Sequence, residues 1–588
     1  MIRRYLLPHL LFLALTFLLG PSLMLRFGEA PIGETVADPA QTQWNLWWAG
    51  RVIESALGGD SLPAGDHFYQ TSLLFHPLGT SLAWHTTDLF WGVLLWPLQG
   101  TVGALGQHAL ALLLATYFTA WASWGVARQL GCGPVAAACA TAALALHGYR
   151  LGEAHHLNIF STFFFPLTLL LLLRFRAEES RAGSIVALAA TAWLVLFASP
   201  FHAFGCGLLA LLAATAVVAF DPENRLRFVK RCLLALLLAL PALGLQAMLL
   251  SGAERPPAFG GDVQARSAAD LWQFVLHPRL RMAWAGVDAE SPWNELYRGQ
   301  IWYLPGYLLT LILGAGLVAT QRFGPRGRAA TLLVLGGAFF WMLGMGPWLK
   351  LGSPWEINPA PTGIPLPGAL AAFVPGLGTM RSVWHFAFLG TMLMTFAAAL
   401  MVERLTTRFD WARRPVVMVL LPLMVAAENQ VGTIPTTESR LDESALVLAM
   451  QPDADAVVPL PQLLHEIRGM FMFQQTIHGR PLVGGYISRD PQSFDAWKSE
   501  RGWLQELEEV GTGRRIAMSF QSEVNFREDI AKHRLGWVQI ELPGVVESTY
   551  RDGVARELGR LGFRDQRWLE GGAVLVRLTS GGSSTPSR

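Results

Sequence analysis

Apolar runs long enough to cross a bilayer recur through this chain, and no other feature limits its fold so strongly. A helix needs about 20 such residues to span a hydrocarbon core of about 30 Å, and in lipid it must satisfy its own backbone hydrogen bonds. The runs lie near residues 5–24, 107–127, 134–148, 158–174, 183–198, 203–220, 231–250, 301–319, 329–345, 384–402 and 414–428. The chain is therefore expected to be a polytopic α-helical membrane protein with about 11 transmembrane helices. Composition agrees: 52% of the 588 residues are hydrophobic and 15% charged, so water is not the only solvent. The opening MIRRYLLPHLLFLALTFLLG has the basic start of a signal peptide without a clear A-x-A cleavage site, so it reads as a retained first helix.

Orientation follows from arginine, because Lys and Arg beside helix ends are held on the cytoplasmic side. Arg3 and Arg4, Arg128, the group Arg174, Arg176 and Arg181, the stretch NRLRFVKR, the group Arg322, Arg326 and Arg328, and the cluster from Arg404 to Arg414 fall on alternate connections. The N-terminus is then expected in the cytoplasm and, after an odd number of crossings, the C-terminal part outside. The opposite loops are acidic. Between Leu25 and Phe90 seven acidic residues face only Arg26 and Arg51. Within this first outer loop (25–90), QWNLWWAGRVIESAL sets Trp44, Trp48 and Val52 at helical spacing, which reads as a helix lying flat in the headgroup layer, with a second over Thr87–Trp96. Plain anchoring by interfacial Trp explains the same pattern.

Near residue 430 charges become frequent and apolar runs shorten to strand length, so residues 1–429 are assigned to the membrane domain and 430–580 to a soluble extracytoplasmic α/β domain. AVVPL, RPLVGGYIS, WVQIEL and AVLVRL read as strands; QSFDAWKSERGWLQELEEV and VESTYRDGVARELGRLG read as amphipathic helices. Residues 581–588 read as a disordered tail.

Several function classes drop out. The 45 basic and 43 acidic side chains nearly balance, which gives no electrostatic footprint for nucleic acid. Cys132, Cys139, Cys206 and Cys232 sit in or beside apolar runs, with no disulfide framework or zinc spacing. Walker A, G-x-S-x-G and H-E-x-x-H patterns are absent.

What remains is ionisable groups near helix ends, where charge is costly and so suggests use. Asp38 in VADPAQTQW either takes a proton from an acceptor hydroxyl or caps the helix that follows. HGYRLGEAHHLNIF gathers His147, Arg150, Glu153, His155, His156 and Asn158, a set that suits an anionic headgroup or a sugar, or else forms a hydrated loop. His155 and His156 are metal-ligand types, but adjacent histidines on a helix point apart, so no metal site is assigned. In GTMRSVWHFAFLG, Arg381 and His385 lie one helical turn apart, as phosphate recognition requires; a snorkelling Arg is the plainer reading. The tail carries His478, Arg480, Tyr486 and Arg489 beside Gly484 and Gly485, read as a structural loop ahead of acceptor recognition.

Together VADPAQTQWNLWW, FHPLGTSLAWHTTDL, ARQLGCGPVAAACATAALALHGYRLGEAHHLNIF, RSAADLWQFVLHP, IPLPGALAAFVPGLGTMRSVWHF and QTIHGRPLVGGYISR give the chain a resemblance to the GT-C superfamily of membrane glycosyltransferases. The resemblance is closer to the bacterial branch often called YfhO-like, and it covers nearly the whole chain. It implies transfer of a sugar from a polyprenyl-phosphate donor to an envelope glycan, lipid or protein acceptor, outside the bacterial inner membrane and among membrane lipids. It implies Asp38 as base, with Glu153, His155 and His156 beside it in the second loop, and Arg381 with Arg150 and His385 at the donor phosphate. The D-x-D metal motif is missing, so no cofactor is expected, and a divalent cation is no more than an option. A non-catalytic glycan- or lipid-binding descendant and a flippase are the competing classes. A phosphatase reporter fused after the C-terminal residue should be active and one fused after Arg128 inactive; the reverse pattern overturns the orientation.

Overall fold

The computed structural model describes residues 2–28, 32, 38–59, 62–63, 65–176, 182–253, 265, 267–286, 301–319, 325–353, 356, 359–366, 368–369, 382–434, 436, 443–462, 464, 467–488, 490–541, 547–570 and 572–578. The chain is a polytopic helical membrane protein, and each of the eleven apolar runs contains a helix. Among the described residues six helical stretches are long and apolar enough to cross a membrane: Leu89–Gln129, Leu157–Arg176, Pro200–Phe220, Arg225–Ser251, Gly327–Gly344 and Val383–Arg408. The apolar helices Leu6–Leu19, Ala182–Ala198, Tyr307–Leu317 and Pro415–Asn429 are shorter.

Contacts divide the chain into two compact units. The first comprises Met1–Phe27, Ala109–Ala247 and Pro257–Pro435; the second comprises Gly28–His108, Met248–Pro256 and Thr436–Arg588. The last break along the chain lies between Pro435 and Thr436, and Gly28–His108 groups with the segment that follows it.

In the first unit the Phe386–Arg408 helix is central, with every residue from Phe386 to Val402 buried. Peripheral helices show the inverse of a soluble protein: Leu233, Leu236, Leu237, Leu240, Val416, Val419 and Leu423 are exposed, as lipid-facing side chains should be. Between apolar surfaces in lipid there is no hydrophobic drive, so close approach of small residues supplies the packing. The Pro325–Gly344 helix meets Phe386–Arg408 in this way. A Cβ added at Gly390 would lie 2.6 Å from the Gly337 carbonyl oxygen, and one at Gly344 would lie 2.6 Å from the Ala387 Cβ.

The second unit is built on a four-stranded sheet in the order Ala456–Leu460, Leu535–Ile540, Val574–Arg577, Gln566–Trp568. The first pair is parallel, with Val457 opposite Trp537; the others are antiparallel. Both strands of the parallel pair are buried throughout, which explains their apolar character, interrupted only by Gln539. RPLVGGYIS, expected as a strand, contributes only a bridge from Leu482 to Val457. Its backbone is used elsewhere: Leu482 N–H donates to Leu73 O (2.8 Å), and Phe75 N–H donates to Gly484 O (2.9 Å). QSFDAWKSERGWLQELEEV forms two helices, Gln492–Arg501 and Trp503–Gly511, broken at Gly502 with φ 71°. A further helix, Phe520–His533, was not anticipated.

The first-loop helix Asp38–Ala56 corrects the interfacial reading. Trp44 and Trp48 are buried and stacked with ring centroids 5.5 Å apart, within the same apolar core as Leu460, Phe471 and Trp537. The Trp44 indole N–H donates to Gln475 Oε1 (2.6 Å). The rings are thus enclosed by protein, and the helical spacing reported a core face. Residues 581–588, expected as a disordered tail, lie outside the described residues.

Gly390→Leu should force the two central helices apart, costing about 1–3 kcal/mol as an overpacked contact does. A lower thermal unfolding midpoint in nanodiscs checks this, against an unchanged midpoint for Leu237→Phe on the lipid-facing surface.

Candidate functional site

In the first unit the helix Pro134–Ala145 ends where His147 turns the chain. Its Nδ1 accepts from Tyr149 N–H (3.2 Å) and its Nε2 donates to Leu304 O (2.9 Å). Two short helices follow, Gly148–Gly152 and Leu157–Phe160, and the turn between them carries Glu153, His155 and His156. Glu153 is fully buried. One carboxylate oxygen lies 3.0 Å from His156 Nδ1 and the other 3.6 Å from His385 Nδ1.

His385 immediately precedes the Phe386–Arg408 helix. The Trp384 indole N–H donates to its Nε2 (3.1 Å), which leaves the neutral ring's proton on Nδ1, 2.9 Å from the Tyr149 hydroxyl. Burial, then the Glu153 charge and Tyr303, push the Tyr149 phenol far above its ordinary value, so it stays protonated. Tyr149 with His385 and Glu153 with His156 are therefore two hydrogen-bonded pairs, set apart by the 3.6 Å between His385 Nδ1 and the Glu153 carboxylate. Each pair can hold a proton, and the partly exposed His156 can meet an anionic or hydroxyl-bearing group.

The expectation that His155 and His156 point apart does not hold. Both lie outside regular helix, and their ring centroids are 3.9 Å apart. Their ligand atoms come within 4.8 Å, which makes these two side chains candidates for cation contact. Arg150 faces inward and is fully buried. Its guanidinium donates to Ala145 O (2.6 Å) and Thr116 Oγ1 (3.1 Å) and lies 4.2 Å from the centre of the Phe160 ring. Arg381 lies outside the described residues.

Sequence reasoning passed over a second buried charge pair in this unit. Asp270 caps the turn Leu271–Phe274 in a capping box with Gln273, and Arg281 Nη2 donates to Asp270 Oδ2 (2.8 Å) and Glu356 O (2.9 Å). The legible signal was the D-x-x-Q spacing.

In the second unit Asp38 is the first residue of the Asp38–Ala56 helix and is half-buried. The Tyr486 hydroxyl donates to its Oδ1 (3.0 Å), while Gln41 Nε2 donates to the Tyr486 carbonyl (2.8 Å). The tail residue Tyr486 thereby fixes the first-loop carboxylate. Behind them Ser488 N–H donates to His85 Nδ1 (3.2 Å), which leaves the His85 Nε2 proton for Asn45 Oδ1 (3.0 Å). Asn45 Nδ2 then donates to Asp88 Oδ2 (3.0 Å). Burial pushes His85 down to about 3, with the charge of Asp38 opposing. Arg480 is structural: it donates to the carbonyls of Leu448 (3.1 Å) and Asp453 (2.6 Å) and pairs with the Asp453 carboxylate. Beside it, burial and then the Arg480 charge hold His478 at about 3. Arg489 lies outside the described residues.

No protein-family profile and no curated protein sequence matches this chain. Solved structures do. The cryo-EM structure of arabinofuranosyltransferase AftD from Mycobacteria aligns over 92% of this chain with TM-score 0.51 and 15% identity, and a mutant of it aligns over 92% with TM-score 0.54 and 16% identity. This chain spans 35% of the length of that first AftD structure. The oligosaccharyltransferase AglB from Archaeoglobus fulgidus, solved with an inhibitory peptide and a dolichol-phosphate, aligns over 98% of this chain and 74% of its own, at TM-score 0.46 and 11% identity. This chain shares the fold of the part of AftD that it aligns with.

His85 and His478 are both held below the ordinary histidine value of about 6.5, so the unfolded chain binds more protons between pH 6.5 and 3. Their contribution to stability is complete above pH 6.5 and is lost as pH falls toward 3. Thermal unfolding from pH 7 to 4 should show a decline that His85→Gln with His478→Gln flattens.

Proposed function

We propose that this chain is a membrane glycosyltransferase that takes a sugar from a polyprenyl-phosphate donor and passes it to an envelope acceptor outside the bacterial inner membrane. The fold shared with the arabinofuranosyltransferase AftD supports the reaction class, and the alternation of arginine-bearing connections supports the side. The observation that carries the reading is the half-buried carboxylate of Asp38, fixed by the Tyr486 hydroxyl at 3.0 Å. A base works best when its geometry is set before substrate arrives.

In the reaction Asp38 takes the proton of an acceptor hydroxyl as that oxygen bonds to the anomeric carbon. The bond from that carbon to the donor phosphate breaks, and the phosphate leaves with the electron pair. Cations offset the leaving charge, and the resemblance offers Arg381 for this task. The activated donor supplies the driving force, so no nucleotide is consumed at this step. A glycan- or lipid-binding protein without catalysis is the alternative.

The test is transfer of radiolabelled sugar from a polyprenyl-phosphate donor by the full chain in proteoliposomes. Asp38→Asn should lower the rate by about 10²–10⁴-fold. Tyr486→Phe, which keeps the carboxylate and removes its hydrogen bond, should lower it by about tenfold or more. Product formation equal to wild type in Asp38→Asn would remove the base assignment, and wild-type binding of donor without product would favour the non-catalytic alternative.

A further inference from the structure

Trp568 differs from the other indoles around the sheet of the second unit. Trp503 and Trp537 are buried, whereas Trp568, at the end of the edge strand Gln566–Trp568, is 53% exposed. Side chains two apart on a strand share a face, so Gln566 and Trp568 point the same way. That face meets the helix Glu547–Arg560, where Gln566 Nε2 donates to Ala555 O (2.7 Å). Between strand and helix runs an open groove of about 670 Å³, lined by Arg551, Asp552, Arg556, Gln566 and Trp568 among others. Its volume lies within the range of small-ligand sites.

The groove is preformed. Arg551 donates to Gly572 O (2.6 Å), which pins its guanidinium 5.2 Å from the centre of the Trp568 ring. Gly572, at φ 88°, provides the turn that presents this carbonyl. Arg551 Nε lies 3.8 Å from the Asp552 carboxylate. Arg556 is exposed, and it follows Asp552 by one helical turn. An aromatic ledge is thus fixed by one cation, with a second cation and a carboxylate along its edge.

We propose that this groove is a glycan-binding subsite, which receives a sugar ring of the acceptor chain on Trp568. A sugar ring has an apolar C–H face and a rim of hydroxyls. The electron-rich indole face attracts the polarised C–H groups, while Arg556 donates to the hydroxyls and Asp552 accepts from them. A peptide segment would be better met by an apolar pocket than by one ring among three charged side chains. The choice of sugar as ligand rests on the proposed transferase reading, but binding here needs neither donor nor turnover.

The experiment applies the full chain, in nanodiscs and without donor, to an array of neutral and uronate-containing oligosaccharides and to a peptide array. Wild type should be retained by at least one glycan class. Trp568→Ala should weaken that retention by about tenfold or more, Trp568→Phe less so, and Arg556→Ala should weaken it too. Because Trp568 is exposed, the thermal unfolding midpoint of Trp568→Ala should stay at the wild-type value. No glycan retained by wild type, retention unchanged in Trp568→Ala, or retention by peptides alone would each overturn the subsite. A chain that binds glycan through Trp568 but transfers nothing keeps the subsite and loses the proposed reaction.

Discussion

The carboxamide of Gln475 decides where the first-loop residues of the second unit can be. It is fully buried, accepts from the Trp44 indole, and donates to the carbonyls of Leu73 (2.8 Å) and Arg480 (2.6 Å). A buried amide left unpaired costs about 1–3 kcal/mol per group, so this one holds its three partners to a single arrangement. Two of those partners come from the first loop and one from the tail. The helix that begins at Asp38 is anchored through Trp44, and the segment that presents Tyr486 follows Arg480. The hydrogen bond between Tyr486 and Asp38 therefore depends on an amide that meets neither residue.

The two units solve opposite solvent problems with the same residue types. In the first, leucines face outward and the polar series from Tyr149 to His156 lies inside, because lipid offers no partner to a charge. In the second, aromatic and aliphatic residues fill the core. Arg150 and Arg281 show how strictly the first unit is held to this rule: both are buried, one bonded to a carbonyl, a hydroxyl and an aromatic face, the other to Asp270 and a carbonyl.

The sequence was readable where a single period or run settled the matter. Eleven apolar runs became helices, and the buried strands Ala456–Leu460 and Leu535–Ile540 announced themselves as short β-branched stretches. It misled where one pattern has two physical causes. Trp44, Trp48 and Val52 at helical spacing suit a headgroup layer and a protein core equally, and the core that claims them joins Leu73, Leu74, Phe75 and Leu82 to residues from Leu448 onward. The candidate site divides in the same way. Glu153 and His156 were visible because charge between apolar runs is rare. The approach of Glu153 to His385, and the bond from Tyr149 to that ring, were not, since a tyrosine in such a stretch carries no mark of its partner. Tyr486 was noticed as one polar residue beside two glycines, while its hold on Asp38 depends on contacts that no local spacing encodes.

One consequence concerns the order in which the protein is made. The loop from Gly28 to His108 is synthesised early, yet its tryptophans find their core only after Trp537 and Val576 have been translated. Until then Trp44 and Trp48 have each other but not that core, and loop closure over so long a separation is slow. A ribosome stalled before residue 535 would leave a membrane-inserted intermediate whose first loop is accessible to protease and to chaperones, and completion of the last strand would end that exposure in one cooperative step.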